Sequence, residues 1–472
     1  MDKKITASLK GIYSHGLDSQ AGRYQALIEM FKRAYPGQKK YFIFRAPGRV
    51  NLIGEHTDYN GLPVMPMTLD RDIAIVASPR KDNLVNAKNF DEEYGTRSFA
   101  IKKTIERYPS GDWGNYLKAS AQALVNINRN LKGMDCVIQG SVPKGSGLSS
   151  SSALVVGTGI TLMRLNRMNI PKIKLVGIFS EGEKYVGVQG GGMDQTVSLM
   201  GMKNKALKID FFPVEIKYVA LPEDKYSVIV CNSLKVAKKS GKMKDQYNEK
   251  SLSCKLAMAM LDKKLRQEYG KKFAISFLGD LRNKKFRKLI EDKRKFTDKY
   301  FHEEDYHIGE IANFLGIKKE TAVKKYLTLR DGSVLGNIKA GFNLNKRVLH
   351  VLTEWDRVEG CVKMSKAGKW AEFGKLMYES HASCRDNYEI SCPELEKLVG
   401  LAKRFGAAGA RLTGAGFGGC TVNLIKIGTE SRFIDFMKKR YYKEYLKTDF
   451  NPSYINICHT TPGAGLVLTG EE

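Results

Sequence analysis

An α+β fold of two mixed α/β lobes is what this sequence predicts, and three observations carry the prediction. Short runs rich in β-branched residues interleave with helix-spaced segments through the first part of the chain. A Gly/Ser-rich stretch at 140–152 leads straight from a strand-like run into a helix-spaced one. Near residues 219–221 the composition shifts, and beyond that point the chain is Lys-rich and mostly helical. The shift marks an expected division into residues 1–220 and 221–472, each long enough to bury a core.

Taken in order, an amphipathic pattern around 24–34 predicts a leading helix. Residues 41–44 and 50–53 read as strands broken by an Ala46-Pro47-Gly48 turn, and 73–77 reads as another strand. Helical spacing returns at 113–127, a strand at 136–138, and helices at 153–165 and 174–185, the last ending in a glycine cluster at 187–192. A strand at 226–230 precedes the helical region, roughly 245–404, and strand-like pieces at 420–425 and 465–468 close the chain. There are no repeats and no low-complexity linker.

Composition narrows the function classes. Hydrophobic residues at 42% and charged residues at 27% are the balance of a folded globular chain, which argues against disorder. A net charge of +28 admits nucleic acid, an anionic membrane or phosphorylated ligands as partners. Its densest run, 284–299, matches no zinc-finger, basic-zipper or aromatic RNA-binding pattern, so it reads as solvated helix faces and no nucleic-acid partner is expected. The eight cysteines are scattered without a CxxC pair or zinc spacing. The first residues hold no apolar run fit for a signal peptide, and the longest apolar stretch, 153–163, falls well short of the about 20 residues of a membrane span. The expectation is a soluble, cytoplasmic protein, working as a monomer away from membranes.

Four segments carry chemistry. In GRVNLIGEHTDYNG, residues 48–61, a buried-looking strand delivers Glu55, His56 and Asp58 into a turn, where carboxylates and an imidazole can bond several hydroxyls at once, as a sugar requires. A polar turn with a capping aspartate is the alternative, and a metal site is disfavoured because no second ligand pair accompanies the three. In GSVPKGSGLSSSSA, residues 140–153, glycines let backbone N–H groups converge before a helix N-terminus, an arrangement suited to nucleotide phosphates. No Walker lysine is present, and a flexible linker is the alternative. RLTGAGFGGC, residues 411–420, matches GxGxxG formally, but a strand follows it where a dinucleotide fingerprint needs a helix, so it reads as a glycine loop approaching a ligand. In GGGMDQ, residues 190–195, three glycines before Asp194 let backbone press against a ligand while the carboxylate points at it; a helix stop with Asp194 as the next N-cap is an equal reading.

In this order, the four segments resemble the galactokinase family of the GHMP kinase superfamily, GRVNLIGEHTDYNG being the most specific of them. HASCRDNYEISCPEL, residues 381–395, is similar to the eukaryotic subgroup of N-acetylgalactosamine kinases and fungal galactokinases. The resemblance implies a GHMP kinase fold with the active site in the cleft between the lobes, and ATP-dependent phosphorylation of galactose at its C1 hydroxyl. N-acetylgalactosamine as substrate, or a non-catalytic galactose/ATP sensor, are the alternatives. By resemblance Asp194 is the base and Arg49 its neighbour, while Glu55, His56, Asp58, Gly191 and Tyr247 bind the sugar. Gly145, Ser146, Gly147, Leu148, Ser149, Ser150 and Ser151 wrap the ATP phosphates, with Trp113 and Tyr116 near the adenine. Ser151 and Glu183 hold Mg²⁺, and residues 414–418 close over the site. Two departures from the family pattern are Gly192, where a larger residue is common, and a Glu183-to-Asp194 spacing shorter by one residue.

Overall fold

Long strands buried on both faces need cover from two sides. β1 (Lys40–Asn51) and β2 (Pro66–Pro79) are such strands, and they pair antiparallel. Their alternation sorts the cover: Ile43, Ala74 and Val76 pack with Tyr24, Leu27 and Phe31 of helix Leu17–Ala34, whereas Phe44, Ile73 and Ile75 pack with Val155 and Ile160 of helix Ser150–Leu165. The computed structural model describes residues 3–143, 145–187, 191–235, 242–329, 332–336 and 341–471. Lys144 and Gly190, which belong to two of the four chemical segments, lie outside them.

With β3 (Leu84–Asn89), β4 (Thr96–Ala100), β5 (Met134–Gly140) and β12 (Gly465–Glu471), the two strands form a sheet ordered β12-β1-β2-β5-β3-β4. Only the β3–β5 pairing in it is parallel. The expected break at Ala46-Pro47-Gly48 is instead a register shift between Pro47 and Arg49 inside one continuous strand. Proline is tolerated because β12 pairs with β1 only as far as Arg45, so one edge of β1 carries no ladder there. The expected division at 220/221 assigns β12 to the second half of the chain, yet β12 hydrogen-bonds to β1 in the first sheet.

β6 (Lys205–Asp210) and β7 (Glu215–Ala220) form a hairpin. The second sheet, ordered β11-β8-β10-β9, comprises β8 (Tyr226–Asn232), β9 (Gly409–Thr413), β10 (Cys420–Lys426) and β11 (Ile455–Cys458), all antiparallel. One of its faces packs under helix Pro393–Phe405. The other shares a core with the first sheet, where Val228, Val230, Val422 and Leu424 meet Val50, Leu52, Met65 and Met67. This shared core fixes the end of β1 against the second sheet, and Asn51 donates its amide to Thr413 Oγ1 at 3.2 Å.

The Lys-rich region is helical, as expected: helices Lys242–Tyr269, Lys293–Tyr300, Ile308–Leu315 and Leu344–Lys366 share a core that includes Leu256, Leu261, Phe296, Ile311, Val348 and Leu352. Around 284–299, Phe286, Phe296 and Tyr300 are buried while Lys284, Lys285, Lys288, Lys295 and Lys299 are exposed. Among the described residues no helix is long and apolar enough to cross a membrane.

Candidate active site

Three local conformations bring the site together. β1 ends past its register shift at Arg49, where Gly48 has no room for a side chain: a Cβ there would come 2.9 Å from Leu148 O. That close approach seats the first glycine loop against the strand, and Arg49 N–H donates to Leu148 O at 3.2 Å. Ser149 then takes a left-handed φ of 60° before helix Ser150–Leu165 begins. Gly192, at φ 106°, turns the chain into helix Met193–Met200, which places Asp194 in the first turn and not at the N-cap.

Asp194 lies at the meeting point of these elements. Arg49 Nε donates to its Oδ1 at 2.8 Å, while Ser149 Oγ, and Ser152 Oγ at 3.4 Å, donate to its Oδ2. Arg49 also donates from Nη1 to Gly147 O, so one guanidinium ties the acid to the glycine loop. The Arg49 side chain is 7% exposed and that of Asp194 26%, so the carboxylate faces open space while its partner is sealed.

The turn after β1 supplies the second wall. Gly54 and His56 both have left-handed φ, 92° and 60°, and Asp58 opens a short 3-10 turn ending at Asn60. Asp58 Oδ2 accepts the Gly191 N–H at 3.0 Å, and Gly191 lies so close that a Cβ would sit 2.5 Å from Asp58 C and Tyr59 N. Burial, with the charge of Asp194 nearby, pushes the Asp58 carboxyl up to about 6. Burial also raises Glu55, although Arg411 and Arg49 act against it. His56 is held neutral, its imidazole lowered to about 3 by burial. Its ring lies 5.5 Å from that of Tyr247 and 4.9 Å from that of Tyr388. The Tyr247 hydroxyl is raised by burial and then by the charges of Asp58, Asp194 and Glu55.

The two glycine loops abut. A Cβ on Gly414 would come 2.8 Å from Gly147 O, and one on Gly419 3.1 Å from Ser146 O. Ser146 Oγ donates back to Pro143 O at 2.6 Å, Leu148 is buried, and Gly145 is exposed. Ser150 and Ser151 stand partly exposed in the first turn of their helix. Glu183 is buried at the end of helix Lys172–Glu183, and burial, then the charge of Glu183, raise the Tyr116 hydroxyl. Trp113 is buried in the core between the first sheet and helix Ser150–Leu165, its indole N–H donated to Tyr94 O at 2.9 Å. Among the described residues no group of three or more His, Cys, Asp or Glu side chains is placed to hold a metal ion.

Several contributors escape sequence reasoning. Arg411, fully buried, bridges to Glu55 Oε2 at 2.9 Å, and His350 Nε2 meets Glu55 O at 3.0 Å. Glu354, Ser380 and Tyr388 also pack behind the turn. The available signal was the His350/Glu354 pair, one helical turn apart on helix Leu344–Lys366 among the apolar Val348, Val351, Leu352 and Val358.

Two segments match known models: GHMP kinases N terminal domain over residues 115–202 and GHMP kinases C terminal over 361–443. Fold likeness extends to the mevalonate kinase of L. major, with TM-score 0.51 and 16% identity over 91% of this chain and 99% of that one. The matched models and the architecture define a GHMP kinase fold. The galactokinase galactose-binding signature matches residues 29–79. Galactokinase from Dictyostelium discoideum is 34% identical, covering 94% of this chain and 93% of its own, and that from Fusobacterium nucleatum is 33% identical, covering 93% and 99%. The Lactococcus lactis galactokinase structure complexed with galactose superposes with TM-score 0.76 at 26% identity, over 94% of this chain and 99% of that one. The chain belongs to the galactokinase family.

Proposed function

We propose that this protein transfers the γ-phosphoryl group of ATP to the C1 hydroxyl of galactose. The observation that carries the reading is the Arg49–Asp194 pair, at the point where the sugar-type turn meets the glycine loops. In-line transfer relies on positioning and charge neutralisation more than on covalent catalysis. Asp194 takes the C1 hydroxyl proton as the sugar oxygen bonds to the γ-phosphorus and the bond to the ADP oxygen breaks. Arg49 orients the acid and neutralises charge developing on the transferred group. Glu55, His56, Asp58 and Tyr247 bond the other hydroxyls, with neutral His56 able to donate from one nitrogen and accept at the other. Gly191 backs Asp58 through its amide.

The loop from Gly145 to Ser151 presents backbone N–H groups to the phosphates, and Trp113 and Tyr116 border the adenine side. Ser151 and Glu183 would hold Mg²⁺; a hydroxyl and a buried carboxylate are the hard oxygen donors this ion takes together with phosphates and water. When bound, the ion neutralises phosphate charge. One chain supplies both the sugar turn and the phosphate loop, so the proposal takes a monomer, working in the cytoplasm where ATP is available.

A coupled assay of ADP release against galactose, N-acetylgalactosamine, glucose and arabinose tests the reading. Galactose-dependent ADP release is expected. Release with N-acetylgalactosamine in preference to galactose would transfer the assignment to that sugar, and galactose binding without any ADP would identify a sensor.

A further inference from the structure

Behind the sugar turn lies a buried circuit of charge that the reaction does not touch directly. Glu354, on helix Leu344–Lys366, is fully buried with both carboxylate oxygens engaged. Its Oε1 accepts from Gly54 N–H at 2.9 Å, Glu55 N–H at 3.4 Å and the Ser380 hydroxyl at 2.6 Å, and its Oε2 from Arg357 Nε at 2.6 Å. The Ser380 oxygen in turn accepts from Arg411 Nε at 3.1 Å, and Arg411 Nη1 reaches Glu55 Oε2 at 2.9 Å. One turn earlier on the same helix, His350 meets Glu55 O at 3.0 Å and Ser383 Oγ at 2.9 Å. Burial lowers this imidazole to about 4 and keeps it neutral, so Nε2 carries the proton for the carbonyl and Nδ1 accepts from the serine.

The amide, the carbonyl and the carboxylate of Glu55 are thus each held by a different side chain. Buried charge is costly where apolar residues would pack as well, and a left-handed φ at His56 is strained unless its surroundings enforce it. Both costs fall on the Gly54–His56 turn and the side chains that support it. We propose that Glu354 is a positioning residue for the sugar: it fixes the Gly54–His56 turn through its backbone and, through Ser380 and Arg411, aims the Glu55 carboxylate into the cleft. The assignment rests on the hexose kinase reading above and predicts an effect confined to the sugar side, because the glycine loops are held by other contacts.

The test compares wild type, Glu354→Gln and Ser380→Ala for kcat, for galactose KM and ATP KM measured separately, and for the rise in Tm that galactose produces. For Glu354→Gln, which keeps the shape but cannot satisfy both the turn and Arg357, galactose KM should rise about tenfold or more while ATP KM moves less than about twofold, with the galactose-induced Tm rise reduced in step. Ser380→Ala leaves Glu354 on the backbone and cuts only the link to Arg411, so a smaller rise of about threefold in galactose KM is expected. Unchanged galactose KM in a folded Glu354→Gln protein, or equal rises in both KM values, overturns the assignment; if that variant fails to fold, unchanged galactose KM in Ser380→Ala does so. A wild-type protein that releases no ADP with galactose removes the kinase reading itself, and the assignment with it.

Discussion

Arg49 Nε lies 2.8 Å from Asp194 Oδ1 although 145 positions separate the two residues. The pairing joins the end of a strand to the first turn of a helix, and the same guanidinium reaches the glycine loop at Gly147. The end of β1, helix Met193–Met200 and the glycine loop are therefore registered to one another through a single side chain.

Removing the acid should leave nucleotide binding in place and abolish proton removal. Asp194→Ala is expected to lower kcat about a thousandfold, with ATP affinity by calorimetry within a few-fold of wild type. Near-normal turnover in this variant would reject Asp194 as the base. Arg49→Lys keeps the charge but cannot reach both Asp194 and Gly147 O in the same geometry, so its kcat should fall about a hundredfold.

Acid sensitivity should come from the buried imidazoles. His56 and His350 titrate near 3 and 4 in the folded protein, below the ordinary imidazole value of about 6.5. The unfolded chain binds those protons first, so the stability they contribute is present above about pH 6.5 and is lost as pH falls towards 4. Asp58, raised to about 6, acts oppositely: the folded chain keeps a proton that the unfolded one has released, so its contribution declines as pH rises from about 4 to 6. The two imidazoles, joined by Glu354, whose carboxyl its cationic neighbours lower to about 2 against its burial, outweigh Asp58 and the raised Glu55, and Tm should drop on acidification from pH 6.5 to 4. His350→Gln retains a donor for Glu55 O and should flatten that drop by one linked proton, about 1.4 kcal/mol per pH unit. Parallel Tm curves for variant and wild type would refute the linkage.

A methyl group on Gly191 meets backbone, which cannot swing aside as a flexible side chain can. Gly191→Ala should displace Asp58 and raise galactose KM at least about tenfold, with ATP KM little changed. Equal galactose KM in the variant and wild type would show that the contact with Asp58 is slack.

The eight cysteines are unpaired; seven are buried and Cys392 is half-buried, with burial pushing its thiol up to about 11. Titration of the native protein with a thiol reagent near pH 8 should therefore modify at most about one group, slowly, and denaturant should release the rest. Fast modification of several thiols would mean that the packing is looser than described.

What was legible in the sequence is what neighbouring residues encode. The two glycine loops, the Glu55–Asp58 turn and the acid after the glycine run announce themselves by local composition, and their strands and helices by period. Proline misled at position 47, because whether it breaks a strand depends on how far a strand from the other end of the chain extends. The supports of Glu55 were illegible for the same reason. Arg411, Glu354 and His350 are 295 or more positions away from the atoms they hold, and no spacing rule spans a tertiary contact of that range. Trp113 shows the converse: an aromatic next to a helix start is visible, but whether its indole meets a ligand or a carbonyl is decided by packing.

The pairing of β12 with β1 has a consequence for biosynthesis. Arg45, buried in β1, donates to Pro462 O at 2.7 Å across 417 positions, and to Thr461 Oγ1 at 2.9 Å. During translation β1 leaves the ribosome long before either partner exists, so its outer edge waits unpaired, and Arg45 is held by Asp72 alone, until residues 461–471 emerge. Nascent chains stalled short of that point would expose a sticky strand margin that chaperones can hold, and a bulky fusion placed directly after β12 would burden the last step of assembly.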